Sequence, residues 1–277
     1  MECRVQDLDV FYESHGEGTP ILMLHGWGQS RRAIMAAMEP VFKQRSGWKR
    51  IYPDLPGHGK TPAREWIADQ DKMLEVMLEF VDIVMQGQRF VLAGSSAGAY
   101  LARGVALRRA ALMDGLLLLL PLIKAADAER QLPARTIVVQ NPSLAAELNA
   151  DDADVFNNLA VVQDRRMLDA LKALSAPEGE GGDQEFLMRI RMDPARYSFS
   201  FDVDALPRPF PAPTLIIAGR QDNMVGYRQA WDIVENYPRA TFAVLDRAGH
   251  CLEIEQEELF HTLTGEWLDR VREFIAA

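Results

Sequence analysis

A serine set between two glycines, Gly94-Ser95-Ser96-Ala97-Gly98, is the part of this chain best suited to covalent chemistry. It fits Gly-x-Ser-x-Gly with Ser96 at the centre. The pattern is unspecific alone, but its setting is informative. The apolar run Phe90-Val91-Leu92-Ala93 precedes it, and a helix-like stretch, 97–110, follows. A strand–turn–helix of this kind lifts the serine hydroxyl clear of a sheet edge, and only small neighbours fit so tight a turn. The backbone N–H of Ala97 opens the helix and points to the same spot.

A serine hydroxyl is a poor nucleophile at neutral pH and needs a base to take its proton. The base in turn needs a third group to hold its tautomer and stabilise its charge. Of the 5 histidines, His250 is the expected base, because Ala248-Gly249 before it gives a loop flexible enough to reach in. His15 sits in the first turn and His261 inside the terminal helix. His25 and His58 belong to glycine turns that position backbone. Asp222 is the expected partner acid. Asp246 is the alternative, although a salt bridge to Arg247 or Arg220 is its simpler role. Asp114 reads as a turn or capping residue before a central strand. Two N–H donors must face the developing oxyanion. Ala97 supplies one, and Trp27, in His25-Gly26-Trp27-Gly28, the other; the simpler reading of that segment is an ordinary glycine turn.

Alternating strands and helices must position these groups. Residues 1–14 alternate apolar and polar around Val5, Leu8, Val10 and Tyr12, and Gly16-Glu17-Gly18 is expected to close a hairpin. Runs at 21–24, 90–93, 116–120, 214–218 and 242–245, and the short segment Arg50-Ile51-Tyr52, read as strands. Helical spacing marks 31–43, 69–85, 97–110, 227–237 and the C-terminal segment carrying Leu259, Leu263, Trp267, Val271 and Phe274. Continuous buried strands alternating with helices imply an α/β fold whose mostly parallel sheet is covered on both faces. Sites in such sheets lie beyond the carboxyl ends of the strands. Gly26, Ser96, Asp222 and His250 all fall just past strand ends.

Between about Lys124 and Pro207 the pattern changes. Val155, Leu159 and Val162, then Met167, Leu171 and Leu174, recur at helical spacing, with a polar loop at 178–183. Pro121 stands before this block, and Pro207, Pro209, Pro211 and Pro213 follow it. It reads as a helical cap, 124–206, inserted into a core made of 1–123 and 207–277. Phe156, Met167, Phe186, Met188, Met192 and Phe199 are expected to face the pocket or the cap's own core. Arg165, Arg166, Arg189 and Arg191 either meet an acidic substrate group or solvate helix surfaces.

Composition narrows the partners. A chain of 277 residues, 48% hydrophobic and 25% charged, suits a soluble globular protein. A formal charge of −10 argues against nucleic acid or an anionic membrane as partner. No apolar run is long enough to span a bilayer. Cys3 and Cys251 suggest neither a disulfide framework nor a metal site, and the first residues lack a signal-peptide core. The expected compartment is the cytoplasm.

Taken together, His25-Gly26-Trp27-Gly28, Asp54-Leu55-Pro56-Gly57-His58-Gly59, Gly94-Ser95-Ser96-Ala97-Gly98, Gly219-Arg220-Gln221-Asp222 and Gly249-His250 make the chain resemble the α/β-hydrolase superfamily over nearly its whole length. It is most similar to the carboxylesterase-like branch with a helical cap after the sixth strand. Similar His-Gly-Trp-Gly turns occur in small carboxylesterases such as the one in the biotin pathway. The resemblance implies an eight-stranded twisted sheet, Ser96 as nucleophile, His250 as base, Asp222 as its partner, and Trp27 and Ala97 as oxyanion donors. It implies no cofactor, no metal and a small-molecule ester substrate. Haloalkane dehalogenases and epoxide hydrolases carry an aspartate at the elbow, so Ser96 argues against both. Relatives that hydrolyse carbon–carbon bonds usually carry a tryptophan where this chain has Cys251. Such a hydrolase, or a non-catalytic ligand receptor on the same scaffold, is the alternative to an esterase.

Overall fold

The computed structural model describes residues 1–145, 147–174 and 182–277. Its centre is an eight-stranded sheet in the order β1-β2-β4-β3-β5-β6-β7-β8. The strands are β1 (Glu2–Val5), β2 (Leu8–His15), β3 (Thr19–Leu24), β4 (Trp48–Pro53), β5 (Phe90–Ser95), β6 (Met113–Leu119), β7 (Thr214–Gly219) and β8 (Ala240–Leu245). β1 and β2 pair antiparallel with each other, as do β2 and β4; every pair from β4 through β8 is parallel.

The apolar runs form strands because both of their faces are covered. Leu22, Leu24, Leu92, Leu116 and Leu118 turn to one side, beneath α2 (Gln70–Met85) and α3 (Ala97–Arg109). Their neighbours Ile21, Met23, Val91, Ala93, Leu117 and Leu119 turn to the other, where α1 (Arg31–Phe42) and α10 (Glu257–Ala276), which follows the short α9 (Leu252–Glu255), pack. Side chains alternate along a strand, so a run with no polar member needs apolar partners on both faces. Asp69 caps α2 by accepting the Lys72 N–H at 2.9 Å. Asp114, buried near the start of β6, is paired with Arg89.

Three local expectations are corrected. The first hairpin turns at Gln6-Asp7, where Gln6 has φ 52°, and joins β1 to β2. The Gly16–Gly18 turn instead carries the chain from β2 to β3, which are not neighbours because β4 lies between them. Residues 227–237 do not form an α-helix. Ala230, Ile233 and Tyr237 are buried at helical spacing, but the turns close from i to i+3, as in Trp231 N–H to Arg228 O and Tyr237 N–H to Val234 O. Over one short segment, periods of 3.0 and 3.6 give the same apolar spacing. Finally, Asp246 is exposed and accepts from Gln221 Nε2 at 3.3 Å rather than from Arg247 or Arg220.

Between β6 and β7 the chain forms α4 (Pro142–Ala145), α5 (Ala150–Leu159), α6 (Arg165–Leu174), α7 (Gln184–Arg191) and α8 (Pro194–Tyr197). Among the described residues it adds no strand to the sheet; its single bridge joins Val139 to Val162. Of the polar loop 178–183, residues 178–181 lie outside the described residues, as do the side chains of Val155 and Leu174. This segment is anchored to the core loops. Asp183 N–H donates to Gly57 O at 2.8 Å, and a Cβ on Gly57 would run into the Phe186 ring. Phe156 is fully buried in a cluster with Met167, Leu168 and Cys251, and Phe199 stacks on Tyr100 with ring centroids 4.4 Å apart. Met188 and Met192 are 50% and 68% exposed, so neither belongs to the core, and neither borders the cavity that opens on Ser96. Helical spacing identifies a helix but not which flank of it finds a partner. No helix among the described residues is long and apolar enough to cross a membrane.

Candidate active site

The turn after β5 is under strain. Ser96 has φ 55° and ψ −117°, a conformation that L-residues avoid. It is held by Ser96 N–H donating to Leu119 O at 2.9 Å, and by Ala99 and Tyr100 N–H donating to Ser96 O. The flanking glycines are steric requirements: a Cβ on Gly94 would strike the Gly98 carbonyl, and one on Gly98 the carbonyls of Leu24 and His25. The result is a partly exposed hydroxyl at the first turn of α3.

Asp222 and His250 reach that hydroxyl from the ends of β7 and β8. His250 Nε2 lies 3.1 Å from Ser96 Oγ, and His250 Nδ1 lies 2.8 Å from Asp222 Oδ2. Asp222 is fully buried, and its Oδ1 accepts the N–H groups of Met224 at 2.8 Å and Val225 at 3.1 Å. Both of its oxygens are thus engaged and the carboxylate cannot rotate freely. Burial alone would push the His250 imidazolium down. The Asp222 charge and hydrogen bond outweigh it and hold the histidine above its ordinary range.

The loop after β3 lies against the serine. A Cβ built on Gly26 would sit 3.4 Å from Ser96 Cβ. The N–H groups of Trp27 and Ala97 find no acceptor among the described residues. His25 orders this loop: it is fully buried, its Nδ1 is 2.8 Å from Gly26 O, and its Nε2 accepts the Leu55 N–H at 3.0 Å. His58, also fully buried, packs edge-on against both His25 and Trp27 at 5.1 Å. Burial pushes His25 down to about 4 and His58 to about 3. Asp54 completes the scaffold by accepting from Arg31 N–H, Arg31 Nη1 and Lys60 N–H at 2.7–2.9 Å.

A cavity of about 460 Å³ opens on Ser96 and His250. Trp27, Leu122, Leu159, Leu171, Tyr197 and Ile254 give it apolar walls. Arg130, Arg191 and Glu253 also border it. Of the four arginines singled out in the sequence, Arg191 alone borders this cavity. Arg165 pairs with Glu147 and Arg166 with Glu257 on the surface, and Arg189 lies over the Phe186 ring. Arg130, Tyr197 and Glu253 carried no motif and were not anticipated. Burial pushes the Glu253 carboxyl up to about 7, and its Oε2 has no hydrogen-bond partner among the described residues.

The family model of the alpha/beta hydrolase family matches residues 21–262, and the chain belongs to that family. It is 22% identical over 269 residues to the pimeloyl-[acyl-carrier protein] methyl ester esterase of Legionella pneumophila (strain Paris), covering 94% of this chain and 100% of that protein. It is 20% identical over 263 residues to the 2-hydroxy-6-oxo-6-(2'-aminophenyl)hexa-2,4-dienoic acid hydrolase of Metapseudomonas resinovorans, covering 95% and 88%. Among solved structures, an alpha/beta superfamily hydrolase from Oenococcus oeni PSU-1 superimposes with a TM-score of 0.86 at 26% identity, covering 98% of this chain and 99% of that one.

Proposed function

We propose that this protein is a cofactor-free serine hydrolase that cleaves a small or medium carboxylic ester through an acyl-enzyme on Ser96. The observation that carries the reading is the continuous relay from Ser96 Oγ to His250 Nε2 at 3.1 Å and from His250 Nδ1 to Asp222 Oδ2 at 2.8 Å. Ser96 attacks the ester carbonyl while His250 takes its proton. Asp222 holds the imidazole in the tautomer that accepts at Nε2 and stabilises the cation that forms. The negative charge on the carbonyl oxygen meets the Trp27 and Ala97 N–H groups. His250 returns the proton to the departing alcohol, then activates a water that hydrolyses the acyl-serine and restores the hydroxyl.

We read residues 124–206 as a lid over this site. Arg130, Leu159, Leu171, Arg191 and Tyr197 from that block border the Ser96 cavity, which supports the reading. A lid excludes water from the cavity and shapes the acyl site. The two cysteines are buried and unpaired, in keeping with the cytoplasm as the compartment.

Carbon–carbon bond hydrolysis is the second reading, favoured by the similarity to the Metapseudomonas hydrolase. A fluorophosphonate probe followed by ester assays separates the readings. Rapid labelling of Ser96 with turnover of simple acyl esters supports the esterase. Labelling without ester turnover favours carbon–carbon cleavage. Absence of labelling removes the nucleophile assignment and leaves a ligand-binding scaffold.

A further inference from the structure

Two arginines, Arg130 and Arg191, border the cavity over Ser96 together with one acid, Glu253. Arg130 is fixed in place: it donates to the carbonyls of Lys124, Ala125 and Met224 at 2.8–2.9 Å and lies 2.8 Å from Asp127. Arg191 is less committed. Its Nη2 reaches the two Asp127 oxygens at 2.8 and 3.0 Å, while its Nη1 and Nε meet no acceptor among the described residues. Asp127 is 62% exposed, so this is an ion pair that water weakens. Two guanidinium charges therefore share one exposed carboxylate beside a half-enclosed cavity.

Tyr197 places this charge relative to the reacting atoms. The Arg191 guanidinium lies 4.9 Å over the Tyr197 ring, and that ring packs edge-on against Trp27, centroids 4.9 Å apart. One aromatic ring thus separates the guanidinium from the loop that packs against Ser96. The Tyr197 hydroxyl belongs to a side chain that is 3% exposed and borders the cavity. Burial pushes it up to about 12, so it stays a neutral donor. Uncommitted arginine N–H groups and a phenol on one wall are complementary to a carboxylate, since arginine matches its planar oxygens and charge-assisted bonds are the strong ones. If Arg191 served only its pair with Asp127, its side chain could lie on the open surface; instead it is 28% exposed and borders the cavity.

We propose that Arg191 and Tyr197, backed by Arg130, bind a carboxylate at the end of the substrate remote from the scissile bond. The substrate is then an ester that also carries an acid, such as a half-ester of a dicarboxylic acid. This rests on the serine-esterase reading.

The test compares monomethyl adipate and monomethyl suberate with methyl hexanoate and methyl octanoate, following methanol release. The wild-type protein should favour the acidic ester of matched length by at least about tenfold in kcat/KM. Arg191→Gln should erase most of that preference by raising KM for the acidic ester, with a smaller loss in Tyr197→Phe. Asp127→Asn frees Arg191 and should lower KM for the acidic ester, a gain that simple damage to the fold would not produce. A wild-type preference for the neutral esters, or an Arg191→Gln that lowers both kinds alike, overturns the proposal. If neither kind is cleaved, the esterase reading fails. Calorimetry of adipate binding to the Ser96→Ala protein then decides the subsite by itself: binding lost in Arg191→Gln sustains it, and no binding removes it.

Discussion

Glu255 ties the Gly249 backbone to the segment between α5 and α6. Its Oε2 accepts the Gly249 N–H at 2.6 Å, and its Oε1 accepts the N–H groups of Val161 at 2.5 Å and Val162 at 3.1 Å. One buried carboxylate therefore fixes the residue before His250 and anchors the inserted helices to the same point. Glu255→Ala leaves three buried donors unpaired, each worth about 1–3 kcal/mol when orphaned. The expected outcome is a lower denaturant midpoint together with lost ester turnover. An unaltered midpoint would show that water or rearranged backbone satisfies these groups.

The strain at Ser96 gives a prediction that separates stability from activity. Ser96→Ala and Ser96→Gly should both reduce turnover at least about 1,000-fold, because neither supplies a nucleophile. Only glycine adopts φ 55°, ψ −117° without a Cβ penalty. Ser96→Gly should therefore be more stable than Ser96→Ala by about 1 kcal/mol, within the range stored at such residues. Thermal unfolding of the two variants, side by side, measures the difference. Equal melting temperatures would mean that the surrounding turn does not impose the conformation.

Asp222, and not Asp246, should control the base. Asp222→Asn should lower turnover by about 10,000-fold through the wrong imidazole tautomer, while Asp246→Asn, at an exposed site, should stay near wild type. The pH profile adds a signed test. His250 acts as a base only when unprotonated, so kcat/KM should fall as pH drops through its pKa. Asp222 raises that pKa above the ordinary histidine value. The acid limb of the wild-type profile should accordingly lie above about 6.5 and move to lower pH in Asp222→Asn. A limb that stays put would assign it to another group.

The paired histidines beside the loop after β3 should make the fold sensitive to acid. In the folded state His25 and His58 are held down to about 4 and about 3, whereas an unfolded histidine titrates near 6.5. The unfolded chain thus binds protons that the folded chain refuses. Stability is full above about pH 6.5 and is lost progressively as pH falls toward 4, by on the order of a few kcal/mol. His58 Nε2 has no hydrogen-bond partner among the described residues, so His58→Gln should flatten the slope without removing a bond from that nitrogen. Denaturant midpoints between pH 7 and 4.5 read this directly. An unchanged slope in His58→Gln would place the acid sensitivity elsewhere.

The sequence exposes some of these relationships and hides others for physical reasons. Ser96, Asp222 and His250 were legible because each follows a strand that must end there, and because the elbow imposes glycine at 94 and 98. The sheet was legible because β3, β5, β6 and β7 are apolar on both faces. The Gly16–Gly18 turn misled because glycine marks a turn without saying which strands it joins; that depends on β4 entering between β2 and β3. Residues 227–237 misled because the apolar spacing is shared by two helix types. Arg130, Tyr197 and Glu255 were silent because each acts through a partner distant in sequence, and single charged or aromatic residues carry no period. Met188 and Met192 are apolar and read as core or pocket candidates, yet they lie on exposed flanks.

The inserted helices give the last prediction. Leu159 ends α5 and Leu171 lies in α6, and both border the cavity that opens on Ser96. They contact a bound acyl chain only if it is long enough to leave the serine. Neither belongs to the sheet loops that hold Ser96, Asp222 and His250, so the chemistry should not depend on them. Leu159→Trp adds bulk to an enclosed wall and should exclude longer chains, lowering kcat/KM for octanoyl esters at least about tenfold, since overpacking costs about 1–3 kcal/mol. Acetyl esters should change far less. Leu171→Ala opens the same wall and should shift the optimum toward longer chains. Met192, two-thirds exposed, serves as the control: Met192→Ala should leave the chain-length profile unaltered. Profiles measured on a series of 4-nitrophenyl esters, from acetate to decanoate, give all three results. If Leu159→Trp and Leu171→Ala both keep the wild-type profile, the acyl chain leaves the site by another wall, and the helices between β6 and β7 do not set substrate length.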